Sequence, residues 1–118
     1  MDKSQDKIYN LEDRTLNFAK SIRDFIKSVP KSLTNIEYSK QLIRSSASVG
    51  ANYIEANEST SKKDLRMRIG ISRKEAKESK YWLELLEPAD IDKTRSVLLN
   101  EALELTKILS SIQRKIRI

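Results

Sequence analysis

Residues 61–88 have the sequence SKKDLRMRIGISRKEAKESKYWLELLEP, in which apolar and small residues recur at alternating steps of four and three. Because about 3.6 residues complete one helical turn, this spacing places all of them on one face of a helix. Ser61 with Asp64 three residues later is typical of a helix N-terminus, and Pro88 ends the helix. The stretch therefore predicts one long amphipathic helix whose buried stripe is Leu65, Ile69, Ser72, Ala76, Ser79, Leu83 and Leu86.

The first and last segments of the chain show the same helical period. Asn10 with Asp13 three residues later is the expected cap of the first helix, and Pro30 ends it. Asp90 or Asp92 is the expected cap of the last helix. The predicted buried stripes are Ile8, Leu11, Thr15, Phe18, Ile22, Phe25 and Val29 in the first helix, and Leu98, Ala102, Leu105, Leu109, Ile112 and Ile116 in the last.

The second helix is predicted to begin with a capping box, Thr34 to Glu37. Residues 45–51, SSASVGA, are small and allow another helix to approach closely. Gly50 costs about 1 kcal/mol relative to Ala inside a helix, so we expect tight packing to compensate. The alternative is that this run breaks the helix in two. The predicted inner face is Leu42, Ile43, Ser46, Val49, Tyr53 and Ala56.

The composition supports an all-α fold. The chain of 118 residues is long enough for one domain, residues 1–118, and it contains two glycines and two prolines, too few for the turns of a sheet protein. Four helices with short connections predict an antiparallel up-down four-helix bundle. The N-terminal sequence lacks a signal-peptide pattern, and no apolar stretch approaches the ~20 residues of a membrane span. We therefore expect a cytoplasmic protein with no membrane partner.

The chain contains no cysteine and no histidine. This excludes disulfides, thiolate nucleophiles, histidine general bases and nearly every zinc site. We therefore expect no enzymatic activity, no catalytic residues, no metal and no cofactor.

The third predicted helix carries basic residues along one side of its buried stripe. At about 100° of rotation per residue, they lie roughly 60–120° from the stripe. With the formal net charge of +6, they predict a contact with the phosphate backbone of RNA or DNA, without base readout. The alternative is a solvated face that keeps the protein soluble. These residues, here called the basic ridge, are Lys62, Arg66, Arg73, Lys77 and Lys80.

The opposite side of the same helix mixes apolar residues with carboxylates. A tryptophan together with two aliphatic residues at helical spacing predicts a second buried surface, here a contact between subunits. Its acidic residues are available to pair with basic residues across that contact. The alternative is an extended core within one chain. This surface, here called the Trp82 flank, consists of Ile71, Glu75, Glu78, Trp82 and Leu85.

A polar face is predicted on the second helix, where Arg44, Ser48, Asn52 and Glu55 lie within about 80° of one another. Arg44 and Glu55 are separated by roughly 16 Å along the helix axis and cannot pair with each other. We expect them to pair with other helices or with a neighbouring subunit. A solvated polar face is the alternative.

Two stretches resemble a known family. Residues 41–56, QLIRSSASVGANYIEA, followed by Ser-Lys-Lys-Asp at 61–64, and residues 75–86, EAKESKYWLELL, are similar to the four-helix-bundle proteins, also called 23S ribosomal RNA intervening-sequence proteins. The resemblance covers residues 8–117, and Arg44, Asn52 and Glu55 match the family's polar hallmark on the second helix.

The resemblance implies an antiparallel bundle that assembles into a ring-shaped homopentamer, and it carries over no catalytic residue. Some members are encoded in intervening sequences of large-subunit ribosomal RNA genes. A related branch, the accessory variability determinant of diversity-generating retroelements, forms a basic pentamer that binds nucleic acid and a reverse transcriptase. We therefore expect a non-catalytic homo-oligomer that associates with RNA or DNA through the basic ridge. The alternative is a structural adaptor that binds another protein through its helix faces.

Overall fold

Four helices make up most of the structure, a computed structural model that describes residues 10–88 and 93–118. No strand occurs within these residues, so the predicted all-α class with four helices is confirmed. The predicted Ile8, Asp90 and Asp92 positions lie outside the described residues. The helices are α1, Leu11–Ile26; α2, Leu33–Asn57; α3, Lys62–Leu85; and α4, Lys93–Lys115.

Two of the predicted N-terminal caps are confirmed. The Asn10 side chain accepts a hydrogen bond from the backbone N–H of Asp13 at 3.2 Å, and α1 begins at the next residue after Asn10. Ser61 Oγ accepts a hydrogen bond from the backbone N–H of Asp64 at 3.1 Å at the start of α3. Each cap satisfies a backbone donor that has no partner inside its helix.

The predicted start of α2 at Thr34 is wrong. Ser32 caps this helix instead, because its extended backbone lets its hydroxyl accept the N–H of Asn35 at 3.1 Å. Thr34 therefore lies in the first turn. α1 ends at Ile26, one turn before Pro30, and Val29 remains buried in the connection between α1 and α2.

The predicted stripes form one core. In α3 every predicted position from Ile69 onward is buried, and Leu65 is partly buried against the core. The exception in the second helix is Ile43, which was predicted on the inner face but is half exposed. Ile43 lies at the outer edge of the α2 surface that packs against α1 and α3. The largest fully buried apolar side chains are Phe18, Ile22, Leu42, Val49, Ile69, Leu83, Leu86, Leu105 and Leu109.

Small residues form the seam between α2 and α3, and α2 continues unbroken through the 45–51 run. Ser45 Oγ and Ser79 Oγ lie 2.8 Å apart, and Ser72 Oγ donates to the Val49 carbonyl oxygen at 2.7 Å. Residue numbers thus rise along α2 as they fall along α3. Compact side chains allow this close approach, and the hydrogen bonds satisfy buried hydroxyls that would otherwise be costly.

Each helix packs against the next along the chain, and α4 packs against α1. Arg14 Nε and Nη2 each donate to a carboxylate oxygen of Glu101 at 2.8 Å, which joins α1 to α4. This hydrogen bonding raises the pKa of Arg14 above its ordinary value. None of the described helices is long and apolar enough to cross a membrane.

Candidate nucleic-acid interface

The basic ridge lies along the exposed side of α3. Lys62, Arg66 and Lys77 are exposed, whereas Arg73 and Lys80 are half-buried. Lys80 Nζ donates to Glu84 Oε1 at 2.8 Å, so its charge is partly neutralised within the helix. In the described part of the chain, the other four ridge cations pair with no carboxylate. Their charges remain available for an external anion.

The C-terminal end of α4 lies beside the beginning of the ridge. Gln113 Nε2 of α4 donates to the backbone carbonyl oxygen of Arg66 at 3.4 Å. The exposed residues Arg114 and Lys115 follow Gln113 directly. Two cations of α4, Arg114 and Lys115, therefore lie near the Arg66 end of the basic ridge. Sequence reasoning did not join these residues to the ridge, because the register between α3 and α4 is not visible in either helix alone.

The acidic residues of the Trp82 flank face a cation of their own chain. Arg44 Nη1 of α2 donates to Glu75 Oε2 at 3.0 Å, and Nη2 donates to Glu78 Oε2 at 3.2 Å. Glu75 is buried, whereas Arg44 keeps half of its side chain exposed. One guanidinium thus ties α2 to two successive turns of α3. One positive charge therefore faces two carboxylates within one chain, which leaves one negative charge unbalanced in this cluster.

Trp82 lies half-buried between α2 and solvent. Its ring stacks on Tyr38 of α2 with centroids 6.3 Å apart, and it meets Tyr81 edge-on at 5.4 Å. Trp82 Nε1 is buried without a hydrogen-bond partner among the residues that the structure describes. Ile71 and Leu85 are also half-buried. The flank is thus covered on its α2 side and open on its outer side.

The remaining hallmark residues do not join the Arg44 cluster. Asn52 Nδ2 donates to the Ser48 carbonyl oxygen of its own helix at 2.9 Å. Glu55 is exposed, and its carboxylate has no partner within residues 10–88 and 93–118. Sequence reasoning missed Gln41, whose Oε1 accepts from Arg44 Nε at 3.2 Å. Its spacing of three residues from Arg44 on one helix is the signal that identifies such a pair.

The comparison with known proteins assigns the family. The sequence model of the 23S rRNA-intervening sequence protein family matches residues 9–111. The chain belongs to this family. The resemblance predicted from residues 41–56 and 75–86 is therefore confirmed at the family level.

The chain has the same fold as a protein from Bacteroides thetaiotaomicron VPI-5482 whose crystal structure is known. That protein is described as one with unknown function from the S23 ribosomal protein family. It shares 33% sequence identity and a TM-score of 0.80, and the match covers 92% of this chain and 99% of that chain. No curated protein matches the sequence.

Proposed function

We propose that this protein is a non-catalytic homo-oligomer that binds the backbone of RNA or DNA through the basic ridge, in the cytoplasm. The observation that carries this proposal is the set of four ridge cations without a carboxylate partner in the described part of the chain. Phosphate contacts from such residues supply affinity without reading base sequence. The two exposed cations at the end of α4 extend the same surface.

We propose an antiparallel up-down bundle that assembles into a homopentamer, as the family resemblance implies. The opposed numbering of α2 and α3 across their serine contacts supports the antiparallel arrangement. A ring presents five copies of the basic ridge, so several weak contacts can act on one nucleic-acid strand. One subunit that contacts two or three phosphates binds nucleic acid only weakly. Two or three subunits on the same strand make more phosphate contacts and therefore bind more tightly.

The salt dependence of binding tests this proposal. Each phosphate neutralised on duplex DNA contributes about −0.9 to the slope of log affinity against log salt concentration. We expect a slope of about −4 to −8 for the oligomer, with little dependence on base sequence. Arg66→Ala, Arg73→Ala and Lys77→Ala together should flatten this slope. Fluorescence anisotropy with labelled RNA and DNA duplexes, at several salt concentrations, measures it.

A second triple variant controls for net charge. Lys20, Lys31 and Lys107 are exposed and lie outside the ridge, so replacing all three by Ala removes the same charge. This variant should keep a slope close to that of the unmodified protein. Equal slopes for the two triple variants would place the nucleic-acid contact elsewhere. Absence of binding even at low salt would instead favour the adaptor function.

Trp82→Ala tests self-association through the Trp82 flank. A half-buried tryptophan on an open surface is a typical interface anchor, and its loss should raise the dissociation constant about 30-fold, or ~2 kcal/mol. Light scattering across a range of concentrations measures the mass. Val97→Ala removes an exposed apolar side chain of α4 and should leave the mass unchanged. A monomeric unmodified protein at micromolar concentration would refute the assembly.

A further inference from the structure

One face of α2 is apolar and is left uncovered by residues 10–88 and 93–118, which the structure describes. Exposed apolar residues recur along it at helical spacing over about 32 Å, from Leu33 to Ile54. The face begins beside Gly50, through which α2 meets α1, and lies across the helix from Ser45, through which α2 meets α3. This surface, here called the α2 stripe, consists of Leu33, Ile36, Ile43, Ala47, Ala51 and Ile54. Leu33 is 83% exposed, and Ile43 is 50% exposed.

One charged residue, Lys40, fills the gap in the α2 stripe between Ile36 and Ile43. Its Nζ lies 3.5 Å from Glu37 Oε1, and both side chains are well exposed. An ion pair of this kind contributes little to stability. Lys40 can therefore exchange it for a carboxylate of another molecule.

The outer edge of α3 has a matching pattern. Its residues recur at steps of four and three, with apolar side chains near both ends and charges in the middle. Met67 and Tyr81 are at least half exposed, and Glu78 keeps about a third of its side chain exposed. This surface, here called the α3 edge, consists of Met67, Ile71, Lys74, Glu78, Tyr81 and Leu85. It overlaps the open side of the Trp82 flank.

We infer that the α2 stripe of one subunit packs against the α3 edge of a second copy of this chain. The inference rests on the self-association proposed above and names the two surfaces that carry it. Copies related by rotation about an axis along the helices keep α2 and the neighbouring α3 in opposed directions, as within one chain. Contact between two different surfaces is heterologous, which closes into a ring when the rotation permits.

Charge and size fix the register of this contact. With Lys40 opposite Glu78 of the second copy, opposed helix directions bring Leu33 opposite Leu85. The same register places two small residues opposite two large ones, Ala47 with Ile71 and Ala51 with Met67. Glu78 already accepts one hydrogen bond from Arg44, and a carboxylate has further lone pairs for the Lys40 ammonium group. The register therefore combines an ion pair with complementary packing on both sides of it.

Disulfide cross-linking tests the contact directly, because the chain contains no cysteine. We expect the double variant Ala47→Cys with Ile71→Cys to form covalent dimers and higher species on mild oxidation. On a non-reducing gel the ladder should end at the number of subunits in the ring. A disulfide within one chain is excluded, because Ala47 lies on the side of α2 opposite the α3 seam. Ala51→Cys with Met67→Cys provides a second pair at exposed positions.

Single variants and a mismatched pair complete the experiment. Ala47→Cys alone and Ile71→Cys alone should remain uncross-linked, and so should Ala47→Cys with Val97→Cys on α4. Efficient dimers from Ala47→Cys alone would show that two α2 stripes meet each other, which overturns the inference. Absence of a ladder from both double variants, with an oligomeric mass, overturns these surfaces and leaves self-association standing. A monomeric mass for the unmodified protein overturns both.

Discussion

Asn35→Ala is expected to lower the free energy of unfolding by about 3 kcal/mol, because it removes the three hydrogen bonds of a buried side-chain amide. Asn35 is 2% exposed. Its Nδ2 donates to the carbonyl oxygens of Pro30 at 2.9 Å and of Glu87 at 2.7 Å. Its Oδ1 accepts the backbone N–H of Glu87 at 3.1 Å. One amide thus joins the α1–α2 connection to the residues that follow α3.

Urea unfolding followed by circular dichroism measures this effect. Asn57→Ala is the matched control, because Asn57 also joins two helices through its amide, donating to Glu12 Oε1 at 3.0 Å, but it is exposed. Water replaces the lost partner there, and the expected cost is below about 1 kcal/mol. Equal costs for the two variants would mean that the Asn35 amide is solvated in the folded protein.

The role of Asn35 shows where sequence reasoning ends. The residue was part of a predicted capping box that began at Thr34, where Glu37 completes the pattern. Ser32 lacks a Glu or Gln three residues later, but its hydroxyl is also suited to an N-cap. Which hydroxyl caps the helix depends on the backbone at Ser32, and the chain path there depends on contacts with Glu87. Glu87 is 52 residues away in the sequence, so the spacing of residues around Asn35 does not reveal this contact.

The helices themselves were predictable because their signals are local. The alternation of four and three in α3 determines its buried stripe without knowledge of any other helix. The same arithmetic identified the basic ridge as a face. That four of its five cations lack a carboxylate partner in the described part of the chain depends instead on how α3 and α4 are aligned, as the Gln113 contact with Arg66 shows.

The α2 surfaces show the same limit. Ile43 was predicted on the inner face because an apolar residue at helical spacing usually belongs to the core. The structure exposes it, since α1 and α3 cover the arc that contains Gly50 and Ser45. Arg44 was expected to pair beyond its own helix, but its carboxylates could not be chosen without the α2–α3 register. The spacing of residues in the sequence shows which of them share a face of a helix. Which face is covered depends on how the helices pack against one another.

Gly50→Ala is expected to lower the free energy of unfolding by about 2 kcal/mol, although Ala favours a helix by about 1 kcal/mol over Gly. A Cβ at Gly50 would lie 2.8 Å from Thr15 Oγ1 and 3.2 Å from Thr15 Cβ. Thr15 cannot give way, because it is buried and its hydroxyl donates to the Leu11 carbonyl oxygen at 2.7 Å. α1 must therefore move away from α2, which loosens core contacts on both helices.

Gly70→Ala is the matched control and should have the opposite sign. A Cβ there would lie 2.5 Å from Gln113 Nε2, but this atom ends a flexible side chain with one long hydrogen bond of 3.4 Å. The side chain can turn away, so the gain in helix propensity should leave the protein equally stable or more stable by up to about 1 kcal/mol. Thermal and urea unfolding of both variants, at the same protein concentration, measure the difference.

A double-mutant cycle identifies Thr15 as the cause of the Gly50 effect. Thr15→Ala removes the oxygen that the new Cβ would approach most closely, and it leaves the more distant Thr15 Cβ in place. Gly50→Ala should therefore cost about 1 kcal/mol less when Thr15 is already Ala, a coupling typical of residues in direct contact. An additive pair of effects would mean that the cost arises from another neighbour. A Gly50→Ala protein as stable as the unmodified one would contradict the close approach of α1 and α2. That approach is what we expect the small residue at position 50 to allow.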